Sequence, residues 1–155
     1  MGLAQDLALF EAKLQAGIQK AMEGPVTEMA KAAMQEAIET EVYRRYDPME
    51  YERRKTHGGL QDPKNMLATY DPKAMELRLA NITRDQGYSI PGSNRLVAPI
   101  VEQGYGYTWK GSRIYKMQPK PRPFHAETER LMGNGLFEQA LDYGLRIAGF
   151  DVKKI

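Results

Sequence analysis

Two histidines, His57 and His125, are the first residues to weigh for chemistry. His57 precedes Gly58-Gly59 in a polar stretch, and His125 follows Phe124 at an expected helix start. Neither sits in an H-x-x-x-H or H-E-x-x-H spacing, so a shared zinc site would need a coincidence of folding. The carboxylate pairs Glu39/Glu41 and Glu127/Glu129 lie two apart on expected helices, where residues at that spacing do not share a face. They read as solvated charges. Gly104-Tyr105-Gly106 begins like a phosphate loop, but Trp109 stands where the third glycine belongs, and no helix opens there. A G-x-S-x-G nucleophile elbow is missing. The chain has no cysteine, which rules out thiol catalysis, disulfides and cysteine metal sites. The expectation is a protein that is not an enzyme and uses no cofactor or metal.

One cluster has a different character. Tyr105, Tyr107, Trp109, Lys110, Arg113, Tyr115 and Lys116 interleave aromatic and basic side chains. Single-stranded nucleic-acid sites combine stacking with phosphate neutralisation in this way, which makes residues 105–116 a candidate nucleic-acid-binding module. Protein interfaces are enriched in the same residue types. A third reading is that the aromatics pin the segment to its own domain. The formal net charge of +2 does not supply the concentrated basic excess of a nucleic-acid domain, which favours the protein interface.

The elements that must position these residues follow from periodicity. Leu3, Leu7, Phe10, Leu14, Ile18 and Met22 recur at helical spacing and predict an amphipathic helix closed by Gly24-Pro25. A second helix is expected from Val26 to about Arg45, small-faced through Ala30, Ala33 and Ala37, and stopped by Asp47-Pro48. Met66–Tyr70 and the alternating Met75, Leu77, Leu79 predict a β-hairpin. Leu96–Val101 is a third strand candidate, edge-bound because of Pro99. Gly104 to Pro123 is rich in Gly, Tyr, Lys and Pro and reads as an extended loop. Helices are expected from Phe124 to Met132 and from Leu136 to Gly149, broken by Gly133-Asn134-Gly135. The fold class is α+β: N-terminal amphipathic helices, a small antiparallel sheet with a long extended loop, and C-terminal helices. A chain of 155 residues suits a single domain, 1–155, with an arm at about 103–121. The mean hydropathy of −0.59, and the lack of any apolar run long enough for a span or a secretory leader, point away from the membrane.

Within this layout the segment Ala98-Pro99-Ile100-Val101-Glu102-Gln103-Gly104 resembles the A-x-x-V-E-x-G strand of the head–tail joining, or tail-completion, proteins of long-tailed bacteriophages. Gln118-Pro119-Lys120-Pro121-Arg122-Pro123-Phe124 is similar to that family's Q-P-A-R-P-F signature, with Pro121 where alanine is expected. Val42 to Met66, with Tyr43, Tyr46, Tyr51, Glu52-Arg53-Arg54 and Gly58-Gly59-Leu60, resembles a variant found in phages of Gram-positive hosts. The resemblance implies a virion structural protein in the neck, made in the host cytoplasm. It implies a homo-oligomeric ring, six- or twelve-fold, between the head connector or stopper proteins and the tail tube or tail terminator. Viral DNA would pass through the lumen without sequence-specific binding.

The residues themselves fit an assembly device. Ring contacts are head-to-tail, and an extended arm can make them by adding to a neighbour's sheet edge. The expected interface residues are Glu102, Gly104, Tyr105, Tyr107, Trp109, Arg113, Tyr115, Arg122, Pro123 and Phe124. Prolines 119, 121 and 123 stiffen the arm's end and lower the entropy lost on docking. Arg122 is expected to anchor the arm through a carboxylate and Phe124 by filling a pocket. Alternatively, Arg122-Pro123-Phe124 is a local helix start with Phe124 in the core.

Overall fold

The computed structural model describes residues 2–45, 52–86, 91–104 and 120–153. It is α+β: helices at both ends of the sequence enclose a two-stranded antiparallel sheet.

Helix α1 (Leu3–Ala21) does not stop at Gly24-Pro25. It runs through a π-helical turn, Met22–Val26, directly into α2 (Thr27–Ile38), with right-handed helical backbone at both joints. Pro25 has no N–H, and its ring would strike the carbonyl one turn back. Widening the turn by one residue removes that clash. The Met22 carbonyl is taken up instead by the N–H and the hydroxyl of Thr27, the latter at 2.8 Å. The expected break is thus a bulge in a continuous helix. A second π-helical turn, Glu39–Tyr43, carries α2 to its end near Arg45, as its sequence predicts.

The hairpin is where alternation places it. β1 (Met66–Asp71) pairs with β2 (Glu76–Asn81), with Met66 opposite Asn81 and Asp71 opposite Glu76. The Asp71 carboxylate accepts from the N–H groups of Lys73 and Ala74 at 2.8 and 3.3 Å, which fixes the turn. Buried Asn81 donates to the Leu60 carbonyl at 2.7 Å and accepts from Thr83 Oγ1 at 2.6 Å. This ties the sheet to the loop before it.

The third strand is a correction. Leu96 makes only an isolated bridge with Arg84, and Ala98–Gln103 is a short helix, α3. Pro99 sits in its first turn, where no N–H is needed. Ala98 and Val101, three apart, face inward, which is helical and not strand spacing. The remaining elements, α4 (Phe124–Leu131) and α5 (Phe137–Ile147), are joined by a kink at Asn134 and Gly135, the latter at φ 100°.

Two apolar clusters meet along α2. One gathers Met34, Ile38, Val42, Val101 and Phe124; the other gathers Met22, Val26 and Ala140. At the second, α1 and α5 touch through small residues: a Cβ on Gly144 would lie 2.5 Å from that of Ala21, and one on Gly17 would meet the Phe150 ring. Contacts 17–150 and 21–144 run in opposite chain directions, so the two helices are antiparallel. The Gly144→Val substitution should therefore lower stability by about 1–3 kcal/mol through overpacking, read as a lower denaturant midpoint.

Candidate functional site at the root of a closed loop

Gly104 and Lys120 are the described residues that flank positions 105–119. Gly104 ends α3 at φ 72°, the left-handed conformation common at helix C-termini, and its N–H bonds the Ile100 carbonyl at 2.9 Å. A Cβ at this position would collide with the Lys120–Pro121 backbone. The departing and returning chains thus pass in direct contact, and only glycine admits that approach. Gly104 and Lys120, the described residues on either side of positions 105–119, are therefore neighbours in space.

Three fastenings hold this crossing. The Arg122 N–H donates to the Val101 carbonyl at 3.1 Å. Pro123 adopts φ −80°, ψ 69°, an inverse γ-turn closed by the Phe124 N–H on the Arg122 carbonyl at 2.9 Å. Glu102, on α3, reaches across to the start of α4: its Oε1 accepts from the His125 N–H at 2.7 Å and lies 2.8 Å from His125 Nδ1. The residue before α4 is a proline with no capping side chain. Glu102 supplies that cap from another element, satisfying an orphan N–H and placing negative charge at the positive end of the helix.

The fastenings rest on buried residues. Phe124 is fully buried among α2 and α3 side chains, and its ring stacks on that of His125 with centroids 4.4 Å apart. Arg122 is 4% exposed. Beside it opens a cavity of about 170 Å³, lined by Val42, Tyr43, Arg53, Leu60 and Val101 among others. Arg53 lies over the Tyr43 ring, 4.8 Å from its centroid, and donates to the Tyr43 carbonyl at 2.8 Å.

Of the expected interface residues, the structure brings together Glu102, Gly104, Arg122, Pro123 and Phe124. It places them as the root of the loop. Arg122 and Phe124 turn inward and serve as anchors, with almost no surface to offer another chain. Val101 and Glu102 belong to a helix and not to an edge strand. Tyr105, Tyr107, Trp109, Arg113 and Tyr115 lie outside the described residues. The contact of Glu102 with His125 spans 23 positions, and no local spacing signals it.

The histidines have separate partners: His57 approaches Thr56 Oγ1 at 3.4 Å, and His125 approaches Glu102. Among the described residues no three His, Asp or Glu side chains gather to hold a metal. Glu127, read as a solvated charge, pairs with Arg130 at 2.6 Å, and this partner holds its carboxyl below the usual range. No helix among the described residues is long and apolar enough to cross a membrane.

Replacing Glu102 by Ala should cost about 1 kcal/mol as a lost helix cap, and Gly104→Ala about 1–2 kcal/mol or more, since left-handed strain adds to the backbone collision. Chemical denaturation measures both. Limited proteolysis should show faster cutting beside Gly104 and Lys120 in each variant, because these two stretches of chain are no longer held together.

The YomN family model matches residues 6–147, a span that includes the whole root of the loop. A relative in Bacillus subtilis (strain 168), the SPbeta prophage-derived uncharacterized protein YomN, is 33% identical over 115 residues, covering 74% of this chain and 72% of that protein. No solved structure matches the chain. With a match across nearly its whole length and a prophage-derived relative over most of it, this phage-related chain belongs to the YomN family.

Proposed function

We propose that the chain is a structural protein of the head–tail junction of a long-tailed phage. It forms a homo-oligomeric ring between the head connector and the tail, through which DNA passes. The observation that carries this reading is the clamped loop. A segment with three tyrosines, Trp109, Arg113 and two lysines lies between residues that meet at one crossing, fastened by Gly104, Glu102 and the buried Phe124. Binding loops on a fixed scaffold have this build, and anchoring both ends lowers the entropy lost when the loop docks. The prophage origin of the relative supports a phage setting. The sequence resemblance at Val101-Glu102-x-Gly104 and Arg122-Pro123-Phe124 supports the neck within it.

In this reading each subunit's loop reaches the next around the ring, a head-to-tail contact that closes on itself. Glu102, Arg122 and Phe124 set the loop's direction from inside their own subunit. Tyr105, Tyr107, Trp109, Arg113 and Tyr115 make the contact. The near-neutral net charge suits a lumen that passes a polyanion without gripping it.

A phage carrying a nonsense codon in this gene should accumulate filled heads and free tails. Electron microscopy and mass spectrometry should find the wild-type protein at the neck of joined particles. Normal joined virions from the mutant, or absence of the protein from purified particles, would count against the reading. Salt-sensitive binding of short oligonucleotides by the full chain would favour a nucleic-acid module instead.

A further inference from the structure

Helix α1 carries a seam that its own fold covers only at one end. Leu3, Leu7, Phe10, Leu14, Gly17 and Ala21 recur at alternating intervals of four and three, the period of a coiled-coil stripe. Gly17 and Ala21 are buried against the antiparallel α5 and Phe150. The same stripe then continues toward the N-terminus past the end of α5. There Leu3, Leu7 and Phe10 are 87, 57 and 53% exposed, and residues 2–13 are all exposed. An uncovered seam continuous with a packed helix–helix contact calls for a second helix of the same kind.

We propose that this half of α1 pairs with α1 of a second copy of the chain, antiparallel. The spacing is self-complementary in that direction: Leu3 meets Leu14 of the second copy and Leu7 meets Phe10, so every seam position finds an apolar partner. The flanking charges agree. An antiparallel pair brings Asp6 beside Lys13 of the other copy, whereas a parallel pair would set Asp6 against Glu11. The stripe and its margins cover roughly 500 Å² on each copy, so the pair buries about 1,000 Å², the size at which a contact between chains holds in solution. This is a two-fold contact, distinct from the head-to-tail contact assigned to the loop, and it does not depend on the neck reading.

The test uses the full chain. Light scattering at micromolar concentrations and above should give a native mass that is an even multiple of the 17.6 kDa chain. The double substitution Leu7→Asp with Phe10→Asp should halve that mass and leave the circular dichroism spectrum of a folded protein, since both side chains are exposed in the single chain. The chain lacks cysteine, so introduced thiols report cleanly. Oxidised Leu7→Cys/Phe10→Cys should form a covalent dimer, and Leu7→Cys alone should not. A monomeric wild-type chain, a native mass unchanged by the two aspartates, or cross-linking by Leu7→Cys alone would overturn the proposal. So would a monomer that instead partitions onto anionic lipid vesicles.

Discussion

Burial of Phe124 is the contact on which the rest of the arrangement depends. Among the described residues it is the largest side chain fully enclosed by the fold, and it sits where α2, α3 and α4 converge. Removing such a ring costs about 3–5 kcal/mol, a large share of the stability of a domain this size. Its position also dictates the local chain path. With Phe124 held inward, Pro123 must turn tightly and Arg122 must run beside Val101. The returning chain is then pressed onto Gly104. The clamp at the loop's root is therefore a consequence of core packing and not a separate device.

The other half of the molecule is governed by closeness. Ala21 and Gly144 let α1 and α5 approach almost backbone to backbone, and Gly17 makes room for the Phe150 ring just past α5. Such a contact gains from dispersion over a long, shape-matched surface, but it tolerates no added methyl group. Pro25 belongs to the same contact. Its ring packs toward Gly144, and the widened turn it forces redirects the chain from α1 into α2 without ending the helix. One continuous rod thus serves two clusters, with α2 as the wall between them.

These two halves suit different tasks. The clamp holds Gly104 against the Lys120–Pro121 backbone, and the proposed ring contact is assigned to the segment between them. The small-residue seam runs off the end of its own fold and leaves an apolar stripe uncovered. In the two proposals each half is assigned to a contact between chains. Membership of a family with a prophage-derived relative supports the phage setting of the proposal.

Elements whose signals are local are legible in the residues alone. Alternation of apolar residues places the hairpin, because side chains in a strand switch faces at every step. The Gly133-Asn134-Gly135 break between the last helices is legible because glycine alone enters the backbone region found at 135 without strain. The residue types at Glu102, Gly104 and Phe124 mark the arm's root within the sequence. The rest is set by tertiary packing. Gly24-Pro25 reads as a stop, yet packing on α5 keeps the helix running through it, since buried contacts outweigh the local cost of a missing hydrogen bond. Leu96–Val101 reads as a strand from composition, but it becomes a helix because Ala98 and Val101 must face the same core around Phe124. The cap that Glu102 places on α4, and the meeting of Gly104 with Lys120, join residues far apart in the chain. No local pattern encodes such distances; they exist only once the core has closed.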